Sequence, residues 1–148
     1  MGLGITVNVK KLHPGAALPA YETAGSSGMD VCACLDAPVT VPAGKIVTIP
    51  SGLAFEIPCG YEIQVRPRSG LARKHGLTVF NSPGTIDSDY RGELAVILIN
   101  SSDSEFTVRH GDRIAQLVLS PVTRAVLKEA ARLSDTERGS GGFGSTGI

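Results

Sequence analysis

From Leu35 to Leu119 apolar and polar residues alternate in short runs, each interrupted by Pro, Gly, Asn or Asp. Alternation with period two predicts β-strands that bury one face and wet the other. Val39 and Val41 lead to Pro42-Ala43-Gly44, Val47 and Ile49 to Pro50-Ser51-Gly52, and Leu53, Phe55 and Ile57 to Pro58-Cys59-Gly60. Each of these breaks is expected to be a turn. Tyr61, Ile63 and Val65 share one face of the next run, with Glu62, Gln64 and Arg66 on the other. Leu94 to Ile99 is apolar on both faces, which a peripheral strand of a small monomer tolerates poorly and a subunit interface explains. One short helix is expected over Ser69 to His75, where Leu71, Ala72, Arg73 and Lys74 precede a glycine stop at Gly76. The chain therefore reads as all-β with one short helix, and evenly spaced short strands suit a sandwich, a jelly roll or a barrel.

At 148 residues the chain is long enough for one domain that buries roughly 70% of its unfolded surface. Only after Glu137 does composition change abruptly, so residues 1–137 read as the domain and 138–148 as a Gly/Ser-rich arm. Lys and Arg number 14, as do Asp and Glu. That balance leaves no global positive field for DNA or RNA, so any phosphate site is local and the ligand small. No apolar run approaches the roughly 20 residues that span a bilayer, and the N-terminus lacks a charged segment followed by an apolar signal core. A cytoplasmic protein without membrane contact is expected. Cys32, Cys34 and Cys59 lack metal-ligand spacing; Cys32 and Cys34 suit one face of a strand, and buried free thiols are expected.

Five clusters carry candidate chemistry. Gly28-Met29-Asp30-Val31 brings an acid to the start of a strand behind a Gly/Ser stretch. Pro67-Arg68-Ser69-Gly70-Leu71-Ala72 sets a cation and a hydroxyl at the helix N-terminus, where free amides attract anions. Asn81-Ser82-Pro83-Gly84-Thr85-Ile86-Asp87-Ser88-Asp89-Tyr90-Arg91-Gly92-Glu93-Leu94 packs an amide, acids and a tyrosine around an expected hairpin. An Asn amide pairs with a donor-acceptor edge such as a pyrimidine's, and a carboxylate at a strand end holds a hydroxyl or activates water. Gly111-Asp112-Arg113-Ile114-Ala115-Gln116-Leu117 makes Gln116 the polar member of an apolar stretch. Finally, Arg138-Gly139-Ser140-Gly141-Gly142-Phe143-Gly144-Ser145-Thr146-Gly147 joins a guanidinium, flexible amides, hydroxyls and one ring, groups that suit a nucleotide. Taken singly, each has an ordinary alternative: a turn Asp, a capped helix with a surface Arg, a polar turn, an outward glutamine, an unstructured terminus.

In this order the clusters GMD, PRSGLA, NSPGTIDSDYRGEL, GDRIAQ and RGSGGFGSTG resemble the five motifs of the trimeric deoxyuridine triphosphatase (dUTPase) family, and they span residues 28 to 147. Met29 and Ser82-Pro83 are small departures from that pattern. The resemblance implies a β jelly roll of the β-clip kind in a three-fold trimer. Its active sites would lie at subunit junctions, each closed by a neighbour's C-terminal arm. That fold also wants a terminal strand over Ala125 to Leu133, against a local propensity for helix, and a strand is expected there.

The activity implied is hydrolysis of dUTP to dUMP and pyrophosphate by water attack on the α-phosphorus, with Mg2+ held mainly on the triphosphate. This keeps uracil out of DNA and supplies dUMP for thymidylate synthesis. By the same resemblance Asp87 orients and deprotonates the water, while Arg68, Ser69 and Gln116 contact phosphates, Ser69 near the oxygen bridging the α and β groups. Asn81 reads uracil's polar edge, and Tyr90 packs under the deoxyribose. In the arm, Arg138 reaches the γ-phosphate, Phe143 stacks on the base, and Ser145 and Thr146 bind phosphate. Gly70, Gly84, Thr85, Ile86 and Gly144 complete the implied substrate-binding set. Asp30 steadies metal-bound water or the arm, and no direct protein ligand to the metal is expected. Two rivals stand beside this: a dCTP deaminase of the same fold, whose catalytic glutamate would fall where this chain has Ile97, and a nucleotide-binding regulator without turnover.

Overall fold

The computed structural model describes residues 4–144. Its strands are β1 (Asn8–Lys11), β2 (Met29–Cys32), β3 (Val39–Val41), β4 (Ile46–Glu56), β5 (Tyr61–Arg66), β6 (Leu77–Val79), β7 (Gly84–Ile86), β8 (Glu93–Asn100), β9 (Phe106–Val108) and β10 (Arg113–Pro121), and its helix is α1 (Ser69–His75). One four-stranded sheet runs β1-β4-β8-β6, a second β2-β10-β5-β7, and β3 pairs with β9. All the pairings are antiparallel. This is the expected all-β architecture, and no described helix is long and apolar enough to cross a membrane.

Alternation sets the core. β5 buries Ile63 and Val65, and β8 buries Leu94, Val96 and Leu98 while Ala95, Ile97 and Ile99 stay half-exposed on its other face. Val31, Ile49, Leu53, Ile114 and Leu117 fill the space between the sheets. Each such side chain stabilises the fold by about 1.5–3 kcal/mol relative to exposure. The wet face of β5 carries a polar ladder: Gln64 Nε2 donates to Glu62 Oε1 at 2.6 Å, and Arg66 donates to Gln64 Oε1 from Nε and Nη2 at 3.1 and 2.6 Å. One amide lies inside: Asn100 Nδ2 donates to the carbonyls of Val41 (2.9 Å) and Ser104 (2.7 Å), and Oδ1 accepts from Ser102 N and Oγ. α1 ends as expected at Gly76, whose φ of 63° turns its N–H back onto Ala72 and Leu71 carbonyls.

Three expectations need correction. Pro50-Ser51-Gly52 is not a turn: β4 runs straight through it, with the pairing to β8 shifting between Pro50 and Ala54. Turn residues also make bulges, and here the Ser51 hydroxyl, donating to the Leu94 carbonyl, and the Glu93 side chain, accepting from Gly52 N, complete one. Ala125–Leu133 is neither strand nor helix but irregular and exposed, and it joins none of the described sheets. The thiols are not buried: Cys32 and Cys34 are half-exposed and Cys59 is exposed.

Candidate active site

Two constellations emerge, and the registers say how far apart they are. The first centres on β10, where Gln116 lies opposite Asp30 of β2 on one side and Arg66 of β5 on the other. Directly opposed residues point to the same face, so these form one row across the sheet. Asp30 accepts from Arg68 Nε at 3.1 Å through Oδ1 and from Arg113 Nη1 at 3.2 Å through Oδ2. Arg113 also faces Glu22 at 3.2 Å. Gln116, half-buried rather than turned out to water, donates from Nε2 to the Pro67 carbonyl at 2.9 Å. A Cβ on Gly28 would lie 2.3 Å from Gln116 Oε1, so the motif glycine is the space the carboxamide occupies. Arg68 is the N-cap of α1, followed by exposed Ser69 and Gly70, and no side chain caps that helix. GMD, PRSGLA and GDRIAQ thus meet at one point. Arg113 stands inside GDRIAQ with nothing along the sequence to mark it; its partner, 83 residues away, is what reveals it. The Cys32 thiol is pushed up by its partial burial first and by the neighbouring Asp30 carboxylate second, which favours the protonated form.

The second constellation gathers around β7. The expected hairpin is instead a crossover: β7 pairs with β5 in one sheet, and the chain then turns into β8 of the other. A turn closed by Tyr90 N on the Asp87 carbonyl at 3.1 Å makes the change of direction. Gly84 is buried beside Val65, with Asn81 Nδ2 only 3.2 Å from where a Cβ would stand, so the glycine lets the asparagine in. A cavity of about 240 Å³ opens between Thr85, Asp87, Tyr90, Glu93 and the outer face of β8 at Ala95 and Ile97. A second, of about 370 Å³, is lined by Tyr61, Glu62, Asp87, Asp89 and Arg124. Asp87 is exposed and borders both. Ile97, where an acid is expected for a deaminase, is an apolar part of the cavity wall and can carry no proton.

One chain does not bring the two constellations together. Ile86 lies opposite Ile63, so Asp87 is level with Glu62, four residues along β5 from the Arg66 row. At about 3.3 Å per residue that is about 13 Å along the strand direction alone. The C-terminal segment that leads into the arm, and the arm itself, are equally separate. After Val122 N donates to the Gly60 carbonyl at 2.8 Å, residues 123–140 are exposed, Val126 and Leu127 almost fully. Among the described residues Arg138 Nε bonds to the Gly141 carbonyl within the arm, and Phe143 is completely exposed. Gly144 is exposed beside it, while Ser145 and Thr146 lie outside the described residues. Among the described residues no three His, Cys, Asp or Glu side chains come together as a metal ligand set.

The dUTPase family model matches residues 15–147 of this chain. The deoxyuridine 5'-triphosphate nucleotidohydrolase of Desulfotalea psychrophila is 64% identical over 131 residues, covering 88% of this chain and 87% of that protein. That of Syntrophotalea carbinolica is 57% identical over 144 residues, covering 97% and 98%. Among solved structures, the dUTPase of Staphylococcus bacteriophage 80alpha with dUpNHpp superposes with a TM-score of 0.88 at 27% identity, over 97% of this chain and 99% of that one. A dUTPase variant from phage phi11 of S. aureus, described with a structural Mg(II) ion, gives 0.79 at 22% identity over 88% and 99%, and at that identity speaks for the fold.

Proposed function

Because the chain belongs to the dUTPase family and hydrolyses dUTP to dUMP and pyrophosphate, we propose that Asp87 orients and deprotonates the water that attacks the α-phosphorus. Water's oxygen bonds to phosphorus, its proton passes to the carboxylate, and the bond from the α-phosphorus to the bridging oxygen breaks to release pyrophosphate. The observation that carries this assignment is the position of Asp87, exposed at the rim common to two cavities and next to the turn that holds Tyr90. Charge developing on the bridging oxygen needs donors, and Arg68, Ser69 and Gln116 supply them. Arg68 and Arg113 are held ready by Asp30, a rigid arrangement that avoids reorganisation at the moment of reaction. Asn81 with the Gly84, Thr85 and Ile86 backbone reads uracil, and Tyr90 packs under the sugar.

The active unit in this reading is a homotrimer with its sites at subunit junctions. The separation of about 13 Å between Asp87 and the Arg66 row supports this, since a second copy can bring the phosphate donors of its own sheet to the first copy's Asp87. The exposed Val126, Leu127 and Leu133 ahead of the arm and Phe143 within it support the exchange of the C-terminal segment, with Arg138 on the γ-phosphate, Phe143 on the base, and Gly144, Ser145 and Thr146 closing on phosphate.

Membership of the family implies Mg2+, and the phage phi11 dUTPase variant is described with a structural Mg(II) ion. Both Asp30 oxygens already face guanidinium groups, and the donor set therefore fits an ion carried on phosphate oxygens, with Asp30 reaching it through water. When bound, the ion neutralises triphosphate charge and polarises the reacting phosphate. By removing dUTP the enzyme keeps uracil out of DNA and supplies dUMP for thymidylate synthesis. Pyrophosphate release measured with magnesium on dUTP, dCTP, dTTP and UTP, with ammonia assayed in the dCTP sample, tests the reading. Release from dUTP alone is expected. Ammonia from dCTP would point to the deaminase, and binding without turnover to a regulator.

A further inference from the structure

The bulge in β4 reaches the candidate sugar pocket through one residue. Between Pro50 and Ala54 the β4 register slips, so Ser51, Gly52 and Leu53 stand against Leu94 alone. Their polar backbone groups are buried and need other partners. Ser51 Oγ donates to the Leu94 carbonyl and accepts from Leu53 N at 3.2 Å. Gly52 N donates to the Glu93 side chain at Oε1, 2.8 Å away. Position 52 holds no other residue: its φ is 68°, and a Cβ would meet Ala16 Cβ and Cys34 Sγ at 2.9 Å.

Glu93 also accepts, through its carbonyl, from the Tyr90 hydroxyl at 3.0 Å. The Tyr90 ring lies directly on Gly92, where a Cβ would come within 2.4 Å of the hydroxyl and 2.6 Å of Cζ. Tyr90 is otherwise 45% exposed, so these two contacts fix how it presents its face to the cavity that Glu93 also lines.

We propose that Glu93 is a positioning residue for sugar selectivity: it ties the β4 bulge to Tyr90 and makes the tyrosine a rigid platform that a ribose 2′-hydroxyl cannot displace. The inference rests on the reading of Tyr90 as packing under the deoxyribose. A yielding pocket rejects one extra hydroxyl weakly, and only a held wall does better. Gln at position 93 keeps the Oε1 acceptor for Gly52 N, whereas Ala leaves that buried N–H without a partner.

The test is kcat/KM for dUTP and for UTP in the full-length protein and in Glu93→Ala, Glu93→Gln, Tyr90→Phe and Tyr90→Ala. Glu93→Ala and Tyr90→Phe are expected to lower the dUTP-to-UTP ratio about tenfold, chiefly by admitting UTP, and Glu93→Gln to keep the ratio near wild type. A wild-type ratio in Glu93→Ala, or a ratio in Glu93→Gln as low as in Glu93→Ala, overturns the inference. Should Glu93→Ala fail to fold, Glu93→Asp, whose carboxylate is one methylene short of Gly52 N, takes its place, and a wild-type ratio there overturns the inference. If Tyr90→Ala keeps the wild-type ratio, the underlying reading of Tyr90 falls and the inference with it. If Tyr90→Ala loses selectivity while Glu93→Ala and Tyr90→Phe keep it, the inference alone falls.

Discussion

Replacing Gly28 by alanine isolates what the first motif does. The backbone at Gly28 does not lie in the left-handed region, so alanine is conformationally acceptable and the effect is steric. Its Cβ would stand 2.3 Å from Gln116 Oε1, 3.1 Å from Cδ and 3.2 Å from Cβ. The carboxamide sits about 1 Å inside ordinary contact and, being the end of a flexible side chain, swings away instead of unfolding the sheet. That movement breaks the 2.9 Å bond to the Pro67 carbonyl. Losing one partly buried hydrogen bond costs about 1 kcal/mol of stability. A donor to phosphate misplaced by about 1 Å costs far more in rate, about 100-fold, which is about 2.7 kcal/mol of transition-state stabilisation. Pyrophosphate release from dUTP should therefore show kcat/KM down about 100-fold, with only a small change in thermal midpoint. Gly28→Ala combined with Gln116→Ala should be no slower than Gln116→Ala alone, because the first change acts only through the second. Wild-type kcat/KM in Gly28→Ala, or penalties that add in the double variant, would refute the argument.

Deleting residues 138–148 should remove most dUTP turnover while leaving the oligomeric mass unchanged; full activity in the truncated protein would exclude the arm from the reaction. Asp87→Asn should bind a non-hydrolysable dUTP analogue normally and lose kcat by about 10²–10⁴, read from calorimetry beside steady-state kinetics; a wild-type rate assigns the water to another residue. The chain has no Trp, so Phe143→Trp should report arm closure as a change in emission on adding the analogue, and an unchanged spectrum would argue against stacking on the base. Asn100→Ala, which strips partners from the Val41 and Ser104 carbonyls, should lower unfolding free energy by about 2–3 kcal/mol in urea titration without affecting KM.

Much of this architecture is legible along the chain because its causes are local. Ile63 and Val65 alternate with Gln64 because a strand has period two, and α1 stops at Gly76 because glycine alone enters the left-handed region without strain. The order of the five clusters is likewise a property of the sequence, and it alone carries the resemblance to the family. What the tertiary structure decided depends on partners far away in the chain. Pro50-Ser51-Gly52 has the residues of a turn, and the Glu93 carboxylate, 41 residues on, makes it a bulge inside β4. Val126 and Leu127 have the propensity for regular structure, but a strand needs a ladder and a helix needs a core, and among the described residues they join no sheet and pack on no core. The need for glycine at 28 is invisible until Gln116 occupies its side, and the gap between Asp87 and the Arg66 row exists only in the register of three paired strands. Backbone preference acts over a few residues and is written in them, whereas contact is set by how strands align, and that alignment is a property of the whole fold.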